Sequence, residues 1–283
     1  MILCVLSDLV VVTNISLILD LITVNWIETL IMKTMNRFIL FFFGCTLLFS
    51  MQGCSPYYAF GNSGVDPIVF IKPLYADSTK QTTYIGGKYD MSNQNTYLHY
   101  GEMNYFGQMY WAQSHIAKNY NYSYGAFGYA GSYKVLEVEN FNGNKSYYGG
   151  GLSGEFNFNL PTKTIDIHLI GLKGTLLYEN GDFTRFRQMA AQQNLISGVS
   201  SSLFAYNISM TEGIEFKIMK DRFGIDFSNG LTFFVNDSPE FFTSSVDIHY
   251  TYKQITLFIQ NTDSFFGIGN EFTLGINYRL NYK

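Results

Sequence analysis

Two copies of one tripeptide carry the side chains best suited to chemistry: Asp166-Ile167-His168 and Asp247-Ile248-His249. On an extended chain, residues two apart point to the same side, so each copy sets a carboxylate beside an imidazole. That pairing can orient a general base or complete a metal site. Neither copy has a nucleophile at a recognisable spacing, and no His-Glu-x-x-His pattern is present. The competing reading is a polar cluster inside a narrow barrel, where interior charges must pair. His99 and His115 stand alone in one extended stretch and read as ordinary polar groups. The run Gly149-Gly150-Gly151 is followed by no Lys-Ser pair and no helix start, so it reads as a bend or bulge and not as a phosphate loop. On these grounds no catalytic residue, metal or cofactor is assigned, and the chain is read as a non-enzyme.

The chemistry of Cys54 is of a different kind. Lys33 and Arg37 precede an almost uninterrupted apolar run from Phe38 to Phe49, and Ser50-Met51-Gln52-Gly53-Cys54 follows. A basic start, an apolar middle and a small residue before the cut are the layout of a secretory signal. Met51-Gln52-Gly53-Cys54 resembles a bacterial lipobox, with Met in place of the usual Leu and a larger residue than usual at Gln52. The resemblance implies cleavage just before Cys54 and attachment of a diacylglycerol and an acyl chain to it. Cysteine use agrees: Cys4 and Cys45 lie in the segment to be removed, leaving Cys54 alone in a compartment where thiols are oxidised. The region before Met32 is apolar but carries Asp8, Asp20 and Glu28 with no basic residue ahead of them, unlike an oriented membrane span. It reads as an upstream extension, with translation starting at Met32 or Met35.

The elements that must position these residues are strands. Phe272, Leu274, Ile276, Tyr278, Leu280 and Tyr282 alternate with polar residues, and the same period of two recurs around Ile165, Ile214 and Val246. The apolar face is rich in Tyr and Phe, while the other carries Gly, Ser, Thr and Asn, unlike the Lys- and Glu-rich surface of a soluble sheet. The chain is 18% aromatic and only 14% charged, against roughly 25% charged in an average soluble protein. These features predict an all-β fold: an antiparallel, up-and-down transmembrane β-barrel of about ten strands, eight to twelve being admissible. A soluble, lipid-tethered β-sandwich is the alternative. Ten strands are placed at 80–90, 96–116, 121–139, 147–160, 164–178, 198–219, 222–235, 241–252, 254–263 and 268–281.

The chain thus divides into an extension and cleaved signal (1–53), a lipid-anchored tether holding one short strand or plug element (54–79), and a barrel (80–283). Tight connections near 161–163, 220–221 and 252–253 alternate with longer ones at 140–146, 179–197 and 236–240. Short turns mark the periplasmic side of an outer-membrane barrel. The anchored tether is expected on that side, beside the first strand. Asp182 to Leu195 has helix-compatible spacing, with Arg185 and Arg187, and reads as a loop helix or a constriction. Trp111, near Tyr105, Phe106 and Tyr110, reads as an interface anchor.

A net charge of −4 without basic tracts excludes nucleic acid as a partner, leaving membrane lipids and other envelope proteins. The leading function is a lipid-anchored protein of the bacterial outer membrane with a structural, narrow-pore or envelope-complex role. A tethered binding module comes second and an outer-membrane enzyme third. Known barrel enzymes place their catalytic groups near the outer rim, whereas both Asp-Ile-His copies lie near short turns. The lipobox reading predicts that translation begun at Met32 yields a protein labelled by radioactive palmitate, and that Cys54→Ala abolishes the label. Persistent label on the variant would refute it.

Overall fold

The structure is a computed structural model that describes residues 58–62, 67–72, 80–94, 102–117, 119–136, 138, 140–162, 164–195, 199–218, 221–235, 240–264 and 270–280. The signal, Cys54 and His99 lie outside the described residues. Ten strands follow in chain order: β1 (Gln81–Gln94), β2 (Glu102–Ile116), β3 (Tyr120–Val135), β4 (Gly143–Pro161), β5 (Ile165–Gly181), β6 (Phe204–Ile218), β7 (Asp221–Phe234), β8 (Glu240–Tyr252), β9 (Ile255–Ser264) and β10 (Asn270–Arg279). Among the described residues one helix, α1 (Asp182–Gln192), interrupts them between β5 and β6. Each strand pairs antiparallel with its neighbours in sequence, and β1 closes on β10 with Tyr84 opposite Arg279 and Asn93 opposite Asn270. Closure removes both sheet edges, the condition for a sheet to stand in lipid.

The period of two sorts side chains in the sense opposite to a soluble protein. On β3, Tyr120, Tyr122 and Tyr124 face outward while Asn121 and Ser123 are buried inside. On the outer wall Met109 is 76% exposed, and Leu152, Leu172, Leu176, Leu257 and Leu274 are exposed with it. Inside, Asn157, Lys173, Thr273 and Asn277 are buried. An apolar exterior around a polar interior is the distribution that lipid selects, and the architecture is that of an outer-membrane β-barrel. It excludes the sandwich.

The strands run longer than the sequence pattern indicates at the loop side of β4 and β5, which begin at Gly143 and extend to Gly181. β3 ends at Val135 instead of 139, and β6 begins at Phe204 instead of 198. Backbone pairing between neighbours, invisible to a hydrophobicity pattern, sets these ends. Gly149 and Gly151 lie within β4, paired with Tyr129 and Phe127, where the register has no bulge. They face the lumen: a β-carbon at Gly149 would lie 2.6 Å from the Tyr129 hydroxyl oxygen, and one at Gly151 2.8 Å from the Phe127 ring. The glycine run therefore seats two aromatic rings and does not bend the strand.

The bulges lie elsewhere. The β4–β5 register shifts between Phe158 and Asn159, and the β5–β6 register shifts between His168 and Gly171. The second sends Leu169 and Ile170 both outward, so that His168 and Gly171 both face the lumen. A regular strand would have driven one of those apolar side chains into the polar interior.

Gly149→Val puts a β-carbon within 2.1 Å of the Tyr178 carbonyl oxygen, whereas at Gly107 it meets nothing within 4 Å. Heat-modifiable migration on a gel is expected to be lost in Gly149→Val and kept in Gly107→Val. Equal folding of the two would contradict this packing.

Candidate functional site

The barrel is not empty. Two stretches of the segment before β1, Tyr58–Asn62 and Pro67–Lys72, lie buried in its lumen and form a strap along its axis. Side chains on the wall bind the strap backbone at several of its described residues. Asn104 Nδ2 donates to Gly61 O (2.6 Å), Lys173 Nζ to Ile68 O (2.9 Å) and Arg222 to Lys72 O (2.6 Å). Gln108 donates to Pro67 O, and Ile71 N donates to the Tyr84 hydroxyl (3.0 Å). A buried backbone without secondary structure of its own needs these partners.

At one end Tyr58 sits under the long loops. Its hydroxyl donates to Glu102 Oε1 (2.8 Å), and its carbonyl accepts from Ser200 N (3.0 Å). At the other end Lys72 reaches Arg222, the second residue of β7, beside the short β6–β7 turn. The strap thus crosses the lumen from loop mouth to turn mouth before β1 starts. The sequence reading put the anchored end beside the start of β1; Tyr58, the first described residue, lies at the opposite mouth.

The helix α1 covers the loop mouth. Its Phe183 and Phe186 rings stand 6.3 and 5.2 Å from the Tyr58 ring, and Phe183 stacks on Tyr133 at 4.4 Å. Arg187 is fully buried and pairs with Glu179 (3.0 Å), which also accepts from Gly61 N (2.8 Å). The Arg187 guanidinium lies 4.8 Å from the Phe60 ring centre and donates to Ser200 O (2.6 Å). Arg185, two residues earlier and so about 200° around the helix, is 69% exposed and pairs with Asp182. The Ser146 hydroxyl and Arg185 hold the exposed Asp182 carboxyl below its usual range. The two arginines lie on nearly opposite faces of the helix, Arg187 on that of Phe183 and Ala190, and docking of this face buries it.

Both Asp-Ile-His copies face the lumen near the turn mouth, with Ile167 and Ile248 exposed outward. Asp166 is bound by Lys217 (2.7 Å). His168 Nδ1 lies 3.1 Å from Asp226 and 3.2 Å from Lys72 Nζ. One ring nitrogen cannot accept from the ammonium and donate to the carboxylate at once, so the tautomer decides which bond forms. His249 faces Glu215 (3.7 Å) and Asp226 (3.5 Å), and Asp226 therefore joins the two histidines. Lys72 completes the group with Glu155 (3.1 Å), and Arg222 lies 3.6 Å from Glu215. Asp247 stands beside this network, with Oδ1 buried and without a hydrogen-bond partner.

Sequence reasoning missed Lys72, Glu155, Glu215, Arg222 and Asp226 as members of the site. The available signal was parity: Glu215 lies between Ile214 and Phe216 and Asp226 between Ile225 and Phe227, whereas Glu155 and Arg222 have an apolar side chain on one side only, Phe156 and Phe223. The cavity bounded by Lys72, Glu155, His168, Lys173, Asp226 and Asp247 measures ≈20 Å³, room for a single water. The arrangement can hold an ammonium group and distribute protons among carboxylates and imidazoles, but it offers no space for a substrate.

The Glu179–Arg187 pair supplies a stability test. Removing one partner of a buried ion pair typically costs about 3–5 kcal/mol, while replacing both is far less harmful. Arg187→Met or Glu179→Gln alone is expected to lower the urea midpoint of the vesicle-inserted protein, and the double variant to recover much of the loss. Additive losses would show that the two side chains act independently.

No family model matches the chain, and no curated protein does. Solved structures similar to it include "KdgM porin" (12% identity, 70% of this chain and 99% of that one, TM-score 0.32). Others are the β domain of the Bordetella autotransporter BrkA (7%, 71% and 99%, TM-score 0.44) and the COG4313 outer membrane channel from Pseudomonas putida F1 (8%, 76% and 98%, TM-score 0.41). At such identities and scores the likeness is one of general barrel form and says nothing about solute or activity.

Proposed function

We propose that the chain is a lipid-anchored β-barrel of the bacterial outer membrane that stands closed and serves as a structural subunit of an envelope complex. One observation carries this reading: the lumen is filled by the chain's own strap, bound through its backbone and sealed by α1 at the loop mouth. A ten-stranded barrel is narrow even when empty. The buried Asp-Ile-His residues serve charge pairing, not turnover, and neither cofactor nor nucleic acid enters the proposal. Its partners are membrane lipids and neighbouring envelope proteins.

The strap also bears on the anchor. Cys54 precedes Tyr58 by four residues, a reach of at most about 14 Å. Acyl chains on Cys54 would then enter the leaflet on the long-loop side, which is the outer leaflet if the short turns face the periplasm.

Three measurements test the reading. Reconstituted into planar bilayers at low voltage, the protein is expected to insert and remain non-conducting; steady conductance in the resting state would refute closure. An epitope placed between Cys54 and Tyr58 is expected to bind antibody on intact cells. Protection of the epitope until the outer membrane is breached would place the anchor on the periplasmic side. Co-purification from native membranes in mild detergent is expected to yield a stable protein partner.

A further inference from the structure

Lys72 is the one basic residue between Tyr58 and the end of the strap, and it enters the most acidic part of the lumen. Its ammonium lies 3.1 Å from Glu155 and 3.2 Å from the His168 ring that bonds Asp226. The strands around it bring four carboxylates, Glu155, Glu215, Asp226 and Asp247, against the cations Lys173 and Arg222, with the imidazoles of His168 and His249 among them and Lys88 within electrostatic range of Asp247. Lys173 and Arg222 are bonded to strap carbonyls, at Ile68 and Lys72. The wall alone is thus acid-rich at this level, and the strap supplies the missing positive charge. A second, independent feature points the same way: Asp247, 2% exposed, lines the cavity beside Lys72 with a carboxylate oxygen that no donor meets.

We propose that this part of the lumen is a binding site for a cation, of the class of alkali ions and primary ammonium groups, which Lys72 occupies as a tethered ligand. The inference rests on the reading of the chain as a closed membrane barrel and adds what the closed state conceals. When the strap withdraws, the four carboxylates outnumber the cations Lys173, Arg222 and Lys88 left beside them on the wall of a narrow passage, and rings of acidic side chains pass cations in preference to anions. The barrel is then a cation-selective path that carries its own blocker. The proposal does not depend on Cys54, so it is tested on the full exported chain refolded in detergent without its lipid.

The experiment is single-channel recording across a planar bilayer under a KCl gradient. Lys72→Met is expected to open several-fold more often than the wild type, with a reversal potential on the potassium side and block by added methylammonium chloride. Lys72→Arg, which keeps the charge, is expected to stay closed. In the Lys72→Met background, Glu155→Gln with Asp226→Asn is expected to shift the reversal potential toward zero and weaken the block. A folded, heat-modifiable Lys72→Met that is silent, anion-selective or indifferent to methylammonium would overturn the proposal. If that variant does not fold, the wild type driven open by high voltage decides: cation-selective, methylammonium-sensitive openings support the site, and anion-selective or absent openings overturn it. Failure of the underlying reading looks different, because the wild type would then neither insert into the bilayer nor show heat-modifiable migration.

Discussion

A charge inside a ten-stranded barrel is cut off from bulk water and, when a strap fills the axis, from most local water as well. Each such ion must meet another ion or a fixed dipole, since an isolated buried charge is costly by several kcal/mol or more. The placement of the interior residues follows from this requirement. Glu179 is met by Arg187 and by Gly61 N, Asp166 by Lys217, and Asp226 by two histidines. Lys72 is met by Glu155. The strap is as much a part of this balance as the wall, and so is α1, which delivers Arg187. The barrel, the strap and the mouth helix therefore form one electrostatic unit.

The same constraint separates the two ends of the lumen. Under the long loops the filling is largely aromatic: Tyr58, Tyr133, Phe183 and Phe186 stack or meet edge to face, with the Glu179–Arg187 ion pair enclosed beside them. Near the short turns the filling is ionic, with carboxylates, histidines, a lysine and an arginine in contact. Apolar packing resists withdrawal through loss of buried contact, whereas the ionic end responds to any competitor for the same charges. A strap held by two different kinds of force has a firm end and an exchangeable one. That asymmetry gives a closed barrel a route to opening without unfolding its wall.

The β5 bulge shows how local irregularity serves this arrangement. By sending Leu169 and Ile170 both to the lipid, it lets His168 and Lys173 occupy the lumen on one strand. The inward glycines of β4 play the complementary part, making room for the rings of Tyr129 and Phe127. Wall and filling are fitted to one another at specific residues, as close packing demands.

Much of this was legible in the sequence. Alternation marked the strands, about ten of them with eight to twelve admissible, and the aromatic character of one face against small polar residues on the other pointed to lipid outside, whereas the period of two alone fits a sandwich as well. The lumen-facing direction of Asp166, His168, Asp247 and His249 followed from the same parity. The partners of those residues did not, since Lys72, Glu155, Glu215 and Asp226 are brought together only when the sheet closes and the strap threads it. Within the 54–79 segment, read as a tether with one short strand or plug element, the described stretches 58–62 and 67–72 lie in the lumen, and their direction through it was not legible because nothing local specifies which mouth an extended segment enters. Likewise helical spacing separates Arg185 from Arg187 onto opposite faces, but that Arg187 meets Glu179 and Ser200 is decided only by docking onto the loop mouth. Local periodicity is a property of the chain, whereas charge pairing across a lumen is a property of closure.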